Sequence, residues 1–256
     1  VFPLRDDNPT ELAPLVALLI IGANVLVWLT VQGMGQGAVF LESLCRYGSI
    51  PGEITGALPP GARVPLGPSA ACTVGGLRWE TVLTSMFMHG SWMHLIGNMW
   101  FLWVFGNNIE DSMGHARFLV FYLLTGVLAA ATHIVVDPSG AVPTVGASGA
   151  ISGVMGAYLL LYPRVRVHTL FFFVIFIRVI PIPAWVMLGY WFLLQLWLGA
   201  GSLGQAQGGG VAFWAHVGGF VAGLVLIRLF ARSGLVDAKR AGRRLSPEEV
   251  RELGWF

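Results

Sequence analysis

Long apolar runs dominate the chain, separated by short polar joints rich in glycine and proline. Six of them can be drawn as membrane spans. They run from about Leu12 to Val31, Val82 to Phe105, Arg117 to Val136, Val145 to Tyr162, Pro183 to Leu198 and Val211 to Phe230. Each approaches the roughly 20 apolar residues that a helix needs to cross a bilayer core. The runs are continuous and do not alternate as barrel strands do, so helices must do the spanning. Gly33-Met34-Gly35, Asp137-Pro138 and Gly208-Gly209-Gly210 punctuate the joints. Composition agrees: 11% of residues are charged and 55% hydrophobic, with mean hydropathy +0.72. A soluble domain carries about a quarter charged residues. The pattern therefore predicts an all-α, polytopic membrane protein. Its first run exceeds a signal-peptide core and lacks a clear small-residue cleavage site, so it reads as a retained anchor.

Three parts follow: a short N-terminus over 1–11, a six-span membrane domain over 12–230, and a tail over 231–256. The loop from about 33 to 80 is long and rich in Pro and Gly. With Tyr47, Trp79 and scattered Leu it reads as a structured, partly membrane-inserted outer loop, the kind that often carries function. His168 to Ile182 is apolar but holds Arg178, Pro181 and no full span, and is expected to lie at the cytoplasmic interface. In the tail, Ser246-Pro247-Glu248-Glu249 has the capping-box pattern of a short helix that Gly254 can close.

Charge fixes an expected orientation. With the N-terminus in the cytoplasm, twelve of the 15 Lys and Arg fall on the cytoplasmic side. Only Arg46, Arg63 and Arg78 fall outside, a bias that matches the positive-inside rule. Both termini are then cytoplasmic. The fourth and sixth spans both enter from the outer face, which puts Ser148 and His216 at similar depth near it. The net charge of +2 says little about partners, and no basic cluster with interleaved aromatics points to nucleic acid.

A hydroxyl and an imidazole are costly at such depth and usually mark a functional site. Serine is a poor nucleophile until a base takes its proton, and histidine is the usual base. Such pairs are recognised by geometry, so the wide separation of Ser148 from His216 is no objection. Either residue alone reads better as an interhelical hydrogen-bonding group; the two at matched depth favour a catalytic pair. Gly149 and Gly153, and Gly219 and Gly223, have the spacing that lets two helices approach closely. His94 and Asn98 share one helix face at a spacing of four. Both can donate hydrogen bonds, either as glue between helices or, beside a nucleophile, to a developing oxyanion. His89 is expected at the outer interface, and His133 with Asp137 at the outer end of the third span. His115 and His168 are expected to be solvated, and Glu110 and Asp111 to pin the loop after the second span. No HExxH occurs, and no metal or cofactor is expected. Position 150 is Ala, so the G-x-S-x-G elbow of α/β-hydrolases is absent. Cys45 and Cys72 share the outer loop, where a disulfide and two free thiols are both open.

Taken in order, His94-Leu95-Ile96-Gly97-Asn98, Glu110-Asp111-Ser112-Met113-Gly114-His115-Ala116-Arg117-Phe118, Gly146-Ala147-Ser148-Gly149 and Ala215-His216 with Gly219 and Gly223 resemble the rhomboid family of intramembrane serine proteases. The resemblance covers roughly Leu77 to Ile227. It implies a six-helix rhomboid-like bundle with Ser148 as nucleophile and His216 as general base and then general acid. His94, Asn98 and the Ser148 backbone N–H would bind the oxyanion. It also implies a short fourth helix starting at a water-filled cavity, a gate formed by the fifth helix and the last outer loop, and membrane-anchored protein substrates cut in or near a transmembrane segment. A compact core points to a bacterial inner membrane. Two departures stand out. Ser152 occupies the position, four after the nucleophile, where some members place an aromatic against the catalytic imidazole, and Arg78-Trp79 reverses the Trp-Arg of some bacterial members. A catalytically inert relative that captures transmembrane segments is the first alternative. A small transporter is the second, although no internal repeat and no mid-span carboxylate favour it. Oligomeric state is left open.

Overall fold

The apolar runs fold as helices α1 (Leu15–Thr30), α5 (Trp92–Met113), α6 (His115–Val136), α7 (Ser148–Leu161), α8 (Ala184–Ser202) and α9 (Phe213–Phe230). Five shorter helices accompany them: α2 (Gly37–Tyr47), α3 (Pro51–Ile54), α4 (Thr81–Thr84), α10 (Ser233–Arg240) and α11 (Pro247–Glu252). The computed structural model describes residues 2–67, 70–173, 176–202, 211–243 and 245–252. The Gly208–Gly210 joint and Gly254 lie outside them. Of the described helices, α6, α8 and α9 are long and apolar enough to cross a membrane, and α1 and α7 are shorter apolar helices. Large apolar side chains such as Leu19, Val135, Trp197, Val225 and Leu229 face outward. Such a surface suits lipid and not water.

The chain is mostly helical, but the sequence reading lacked two small sheets. Strands β4 (Arg166–Phe173) and β5 (Phe176–Pro183) form an antiparallel hairpin, and β1 (Phe2–Asp6) joins the free side of β4. The interfacial segment expected over 168–182 is therefore strand. Its aromatic and β-branched residues favour an extended chain, and Val167 and Thr169 alternate inward. A lone apolar run does not reveal that the first residues of the chain will pair with it. The second sheet, β2 (Arg63–Pro65) with β3 (Ala71–Thr73), belongs to the loop over 33–80.

The second helix starts later than expected, at Trp92 and not near Val82. Ser91 is the cause: its hydroxyl accepts the His94 N–H at 3.1 Å, satisfying one of the helix's orphan donors. The helix then runs past Phe105 because its polar C-terminal turn is buried against tertiary partners, and Gly114 stops it at φ +84°. Glu110 and Asp111 do not merely pin the following loop. The Glu110 carboxylate accepts the N–H groups of Val16 and Ala17, each at 2.9 Å, and Asp111 accepts that of Leu12 at 2.9 Å. Glu110 thus caps the start of α1, where free N–H groups and the helix dipole favour negative charge, and Asp111 holds the residues leading into it. His115, expected to be solvated, pairs with Glu110, and His168 lies 2.8 Å from Asp7. Lys239 of α10 reaches Asp111 at 2.6 Å, and Arg240 donates to Leu161 O at the end of α7. The tail is thereby fastened to the bundle. The capping box is present in α11: the Glu249 N–H donates to Ser246 Oγ, and the Ser246 N–H to the Glu249 carboxylate.

The loop over 33–80 has a small core of its own, formed by Ile50, Val64, Cys72 and Val74. Cys45 and Cys72 are joined as a disulfide. Arg78 clamps the buried Glu53 carboxylate with Nε at 2.9 Å and Nη2 at 2.5 Å, and donates to Arg46 O. The Gly75 N–H completes the carboxylate's partners. This loop is a built element fixed by a covalent bond and an ion pair.

Candidate active site

Helix α7 packs most closely against α9 and α6, and glycine makes the approach possible. A Cβ added to Gly219 would stand 2.0 Å from Gly149 O, and one added to Gly223 would stand 1.9 Å from Gly153 O. No side chain fits there, so the two backbones touch, as small-residue helix interfaces allow. That contact sets the register of the first turns of both helices. Ser148 is the first residue of α7, and His216 lies in the first turn of α9. Ser148 Oγ and His216 Nε2 are 2.7 Å apart, a short and direct hydrogen bond.

The backbone bends into this position at Gly146, whose φ is +132°. Its N–H donates to Ser85 O at 2.9 Å. A Cβ on Gly146 would be 2.8 Å from both Cε1 and Nε2 of His94 and 3.4 Å from Ser148 Oγ. The bare α-carbon therefore lets the His94 ring lie beside the serine. Gly90 N–H donates to His94 Nδ1 at 3.3 Å, so Nδ1 is the unprotonated nitrogen and Nε2 carries the hydrogen. That Nε2 and Ser148 Oγ both lie close to the bare Gly146 α-carbon. Asn98, one turn further along α5, is 7% exposed, and its Nδ2 is buried with no protein acceptor. Ser148, opening a helix, leaves its own backbone N–H without an intrahelical partner.

A cavity of about 820 Å³ meets this group. His94, Ser148 and His216 line it, with Ala129 and His133 of α6 and Val145-Gly146 along the approach to α7. Residues of the 33–80 loop, among them Pro51 and Val64, form another wall. Asn98 is not part of the lining. His133 shares the cavity wall with Asp137, and His89 is fully buried. Gln32 holds the His89 main chain at both ends: its Nε2 donates to His89 O and its Oε1 accepts the His89 N–H, each at 2.8 Å. Among the described residues no cluster of three or more His, Cys, Asp or Glu is placed to hold a metal ion.

Ser152 does not touch the imidazole. Its hydroxyl donates to Ser148 O at 2.6 Å, one helical turn back. The neighbours of His216 come from α8 instead. Gln195 Oε1 is 2.8 Å from His216 Nδ1, and the Trp191 ring lies 5.8 Å from the imidazole, tilted by 37°. Neither was singled out in the sequence. The available signal was a lone amide in an otherwise apolar helix, four residues after a tryptophan.

Comparison with known proteins places this geometry in a family. The model of the Rhomboid domain matches residues 77–233, more than half of the chain. The chain is 39% identical over 82 residues to the chloroplastic rhomboid-like protein 11 of Arabidopsis thaliana, covering 32% of this chain and 29% of that one. It is 34% identical over 131 residues to the rhomboid protease GluP of Bacillus subtilis, covering 51% and 25%. Against the mitochondrial rhomboid protein 1 of Saccharomyces cerevisiae it is 27% identical over 150 residues, covering 57% and 40%. The chain thus spans less than half the length of each of these curated relatives. The match takes in α5 to α9 and every residue of the Ser148–His216 site, and the chain belongs to the rhomboid family.

Proposed function

We propose that this protein is an intramembrane serine protease that hydrolyses peptide bonds in or near the transmembrane segments of membrane-anchored proteins. The observation that carries the reading is the 2.7 Å hydrogen bond from Ser148 to His216 at the wall of a cavity, inside an apolar helical bundle. Family membership adds weight, since one of the relatives is named a protease.

In this reading Ser148 Oγ attacks the scissile carbonyl carbon while its proton passes to His216 Nε2. The carbonyl oxygen gains the negative charge. His94 Nε2–H, Asn98 Nδ2–H and the Ser148 backbone N–H are the donors proposed to receive it, and removing one such donor costs on the order of 100- to 1000-fold in rate. When the tetrahedral intermediate collapses, the C–N bond breaks and His216 returns the proton to the leaving amine. An acyl ester on Ser148 remains. Water from the cavity then attacks it, with His216 as general base, and frees the acid. General-base assistance of this kind contributes roughly 100- to 10000-fold. A substrate helix must unwind at the cut, because its carbonyl is otherwise hydrogen-bonded and shielded. Segments with helix-weakening residues are the preferred substrates.

The proposed setting is a six-span, multi-pass protein in a bacterial inner membrane, both termini cytoplasmic. The cavity opens to the outer side, and the 33–80 loop dips into the bilayer. The partners are the bilayer and the membrane-anchored substrates. A fluorophosphonate, which esterifies activated serines, tests the nucleophile directly. The expected result is a single adduct on the Ser148 peptide, absent from Ser148→Ala and strongly reduced in His216→Ala. An unlabelled wild-type protein, or equal labelling of Ser148→Ala, would favour an inert relative that only captures transmembrane segments.

A further inference from the structure

A base of this kind needs more than a nearby serine. The imidazole must carry its hydrogen on Nδ1, so that Nε2 presents a lone pair, and the ring must hold that face toward Oγ. Triads use a carboxylate or an amide for both tasks. Among the described residues no Asp or Glu hydrogen-bonds His216, and Ser152 turns its hydroxyl back to Ser148 O. The group at Nδ1 is Gln195 Oε1, at 2.8 Å.

The orientation of the amide follows from its second contact. Gln195 Nε2 donates to Trp191 O at 3.4 Å. Flipping the amide would turn its oxygen toward that carbonyl, acceptor against acceptor, so Oε1 must face the imidazole. An amide oxygen can only accept, which puts the hydrogen on Nδ1 and leaves Nε2 free to take the serine proton. Gln195 is 6% exposed and His216 9%, so water does not readily take over this contact. Trp191 lies against the ring, and the Trp214 Nε1–H donates to Gly199 O at 3.2 Å, which ties α8 to α9 one turn beyond Gln195.

We infer that Gln195 is the positioning residue of the dyad: through its amide oxygen it fixes the tautomer and the ring angle of His216. The inference rests on the proteolytic reading given above. It has a structural corollary: α8 must be docked on α9 when the proton moves, because the group that orients the base sits on α8.

The test uses Gln195→Leu, which keeps the volume and suits an apolar helix but cannot accept, and Gln195→Glu, which restores an acceptor at the same reach. Purified full-length variants are compared with wild type, Ser148→Ala and His216→Ala on a fluorescent transmembrane substrate, with kcat and KM separated. Gln195→Leu is expected to lose on the order of 10- to 100-fold in kcat with KM within about twofold, less than the ~10000-fold seen when a triad carboxylate is replaced. Gln195→Glu is expected to recover most of that loss. A Gln195→Leu variant within twofold of wild type in kcat overturns the inference, as does a loss carried in KM or one that Gln195→Glu does not relieve. Cleavage by Ser148→Ala at the wild-type rate would overturn the proteolytic reading itself, which separates the two failures.

Discussion

Gly219→Ala is a one-methyl change that acts on the chemistry through packing alone. The added Cβ would stand 2.0 Å from Gly149 O, whereas real Cβ atoms essentially never come within 3.0 Å of another heavy atom. The obstacle is backbone, which has no rotamer to escape through, so α7 and α9 must part by roughly 1 Å at this level. Ser148 is the neighbour of Gly149, and His216 is three residues from Gly219. A separation of that size lengthens their 2.7 Å hydrogen bond to about 3.5 Å, beyond useful range. Misplacing reacting groups by about 1 Å costs on the order of 100-fold in rate. The overpacking should also destabilise the bundle by about 1–3 kcal/mol. The matched control is Gly22→Ala in α1, where an added Cβ meets nothing within 4 Å. That change should leave activity intact and add up to ~1 kcal/mol through helix propensity. Turnover of a fluorescent transmembrane substrate and thermal unfolding in the same detergent measure both effects. A Gly219→Ala variant with activity within twofold of wild type would refute the argument that backbone contact sets the Ser148–His216 distance.

Two further predictions probe the periphery. Arg78→Leu leaves the buried Glu53 carboxylate with the Gly75 N–H alone, and stranding a buried charge costs about 3–5 kcal/mol. The 33–80 loop should become far more susceptible to added protease, with Glu53→Gln in the same chain recovering part of the resistance; unchanged proteolysis of Arg78→Leu would count against the clamp. Lys239 sets the pH behaviour of the tail. Burial holds its ammonium below the ordinary value of 10.5, and the neighbouring Asp111 only partly opposes this. The folded state therefore releases that proton earlier than the unfolded chain, and stability gains with pH between the lowered value and 10.5. Thermal scans from neutral to alkaline pH should show wild type gaining on Lys239→Met as pH rises. Parallel curves would contradict the burial argument.

Much of this architecture is legible in hydropathy alone. The apolar runs mark the helices α1 and α5 to α9, with ends displaced by a few residues wherever a cap intervenes. The largest displacement, at Ser91, is the work of one hydroxyl on one backbone N–H. Ser148, His216 and His94 stand out because polar groups are costly in apolar helices, and the structure brings these three to one cavity wall. What the sequence hides are contacts between distant segments. Glu110 caps a helix start more than 90 residues earlier in the chain, Asp111 holds the residues leading into it, and no local pattern announces either contact. The β1–β4 pairing joins residues 2–6 to the strand over 166–173, and an apolar strand in a membrane protein reads much like an interfacial segment. Gln195 escapes for a related reason. A single amide in an apolar helix gains meaning only when its partner, His216 on the next helix, is known. The disulfide was one of two open readings, and only the fold of the loop brings Cys45 and Cys72 together.

Cleavage of peptide bonds at membrane depth by Ser148 and His216 is the proposal on which the other activity predictions depend. Its most direct test reconstitutes the protein in liposomes with a single-span reporter whose transmembrane segment carries helix-weakening residues, followed by intact-mass analysis of the products. Wild type should yield two fragments whose masses place the cut within or beside the span, and Ser148→Ala and His216→Ala should yield none. An intact reporter after incubation with wild type, or the same fragments from Ser148→Ala, would contradict it.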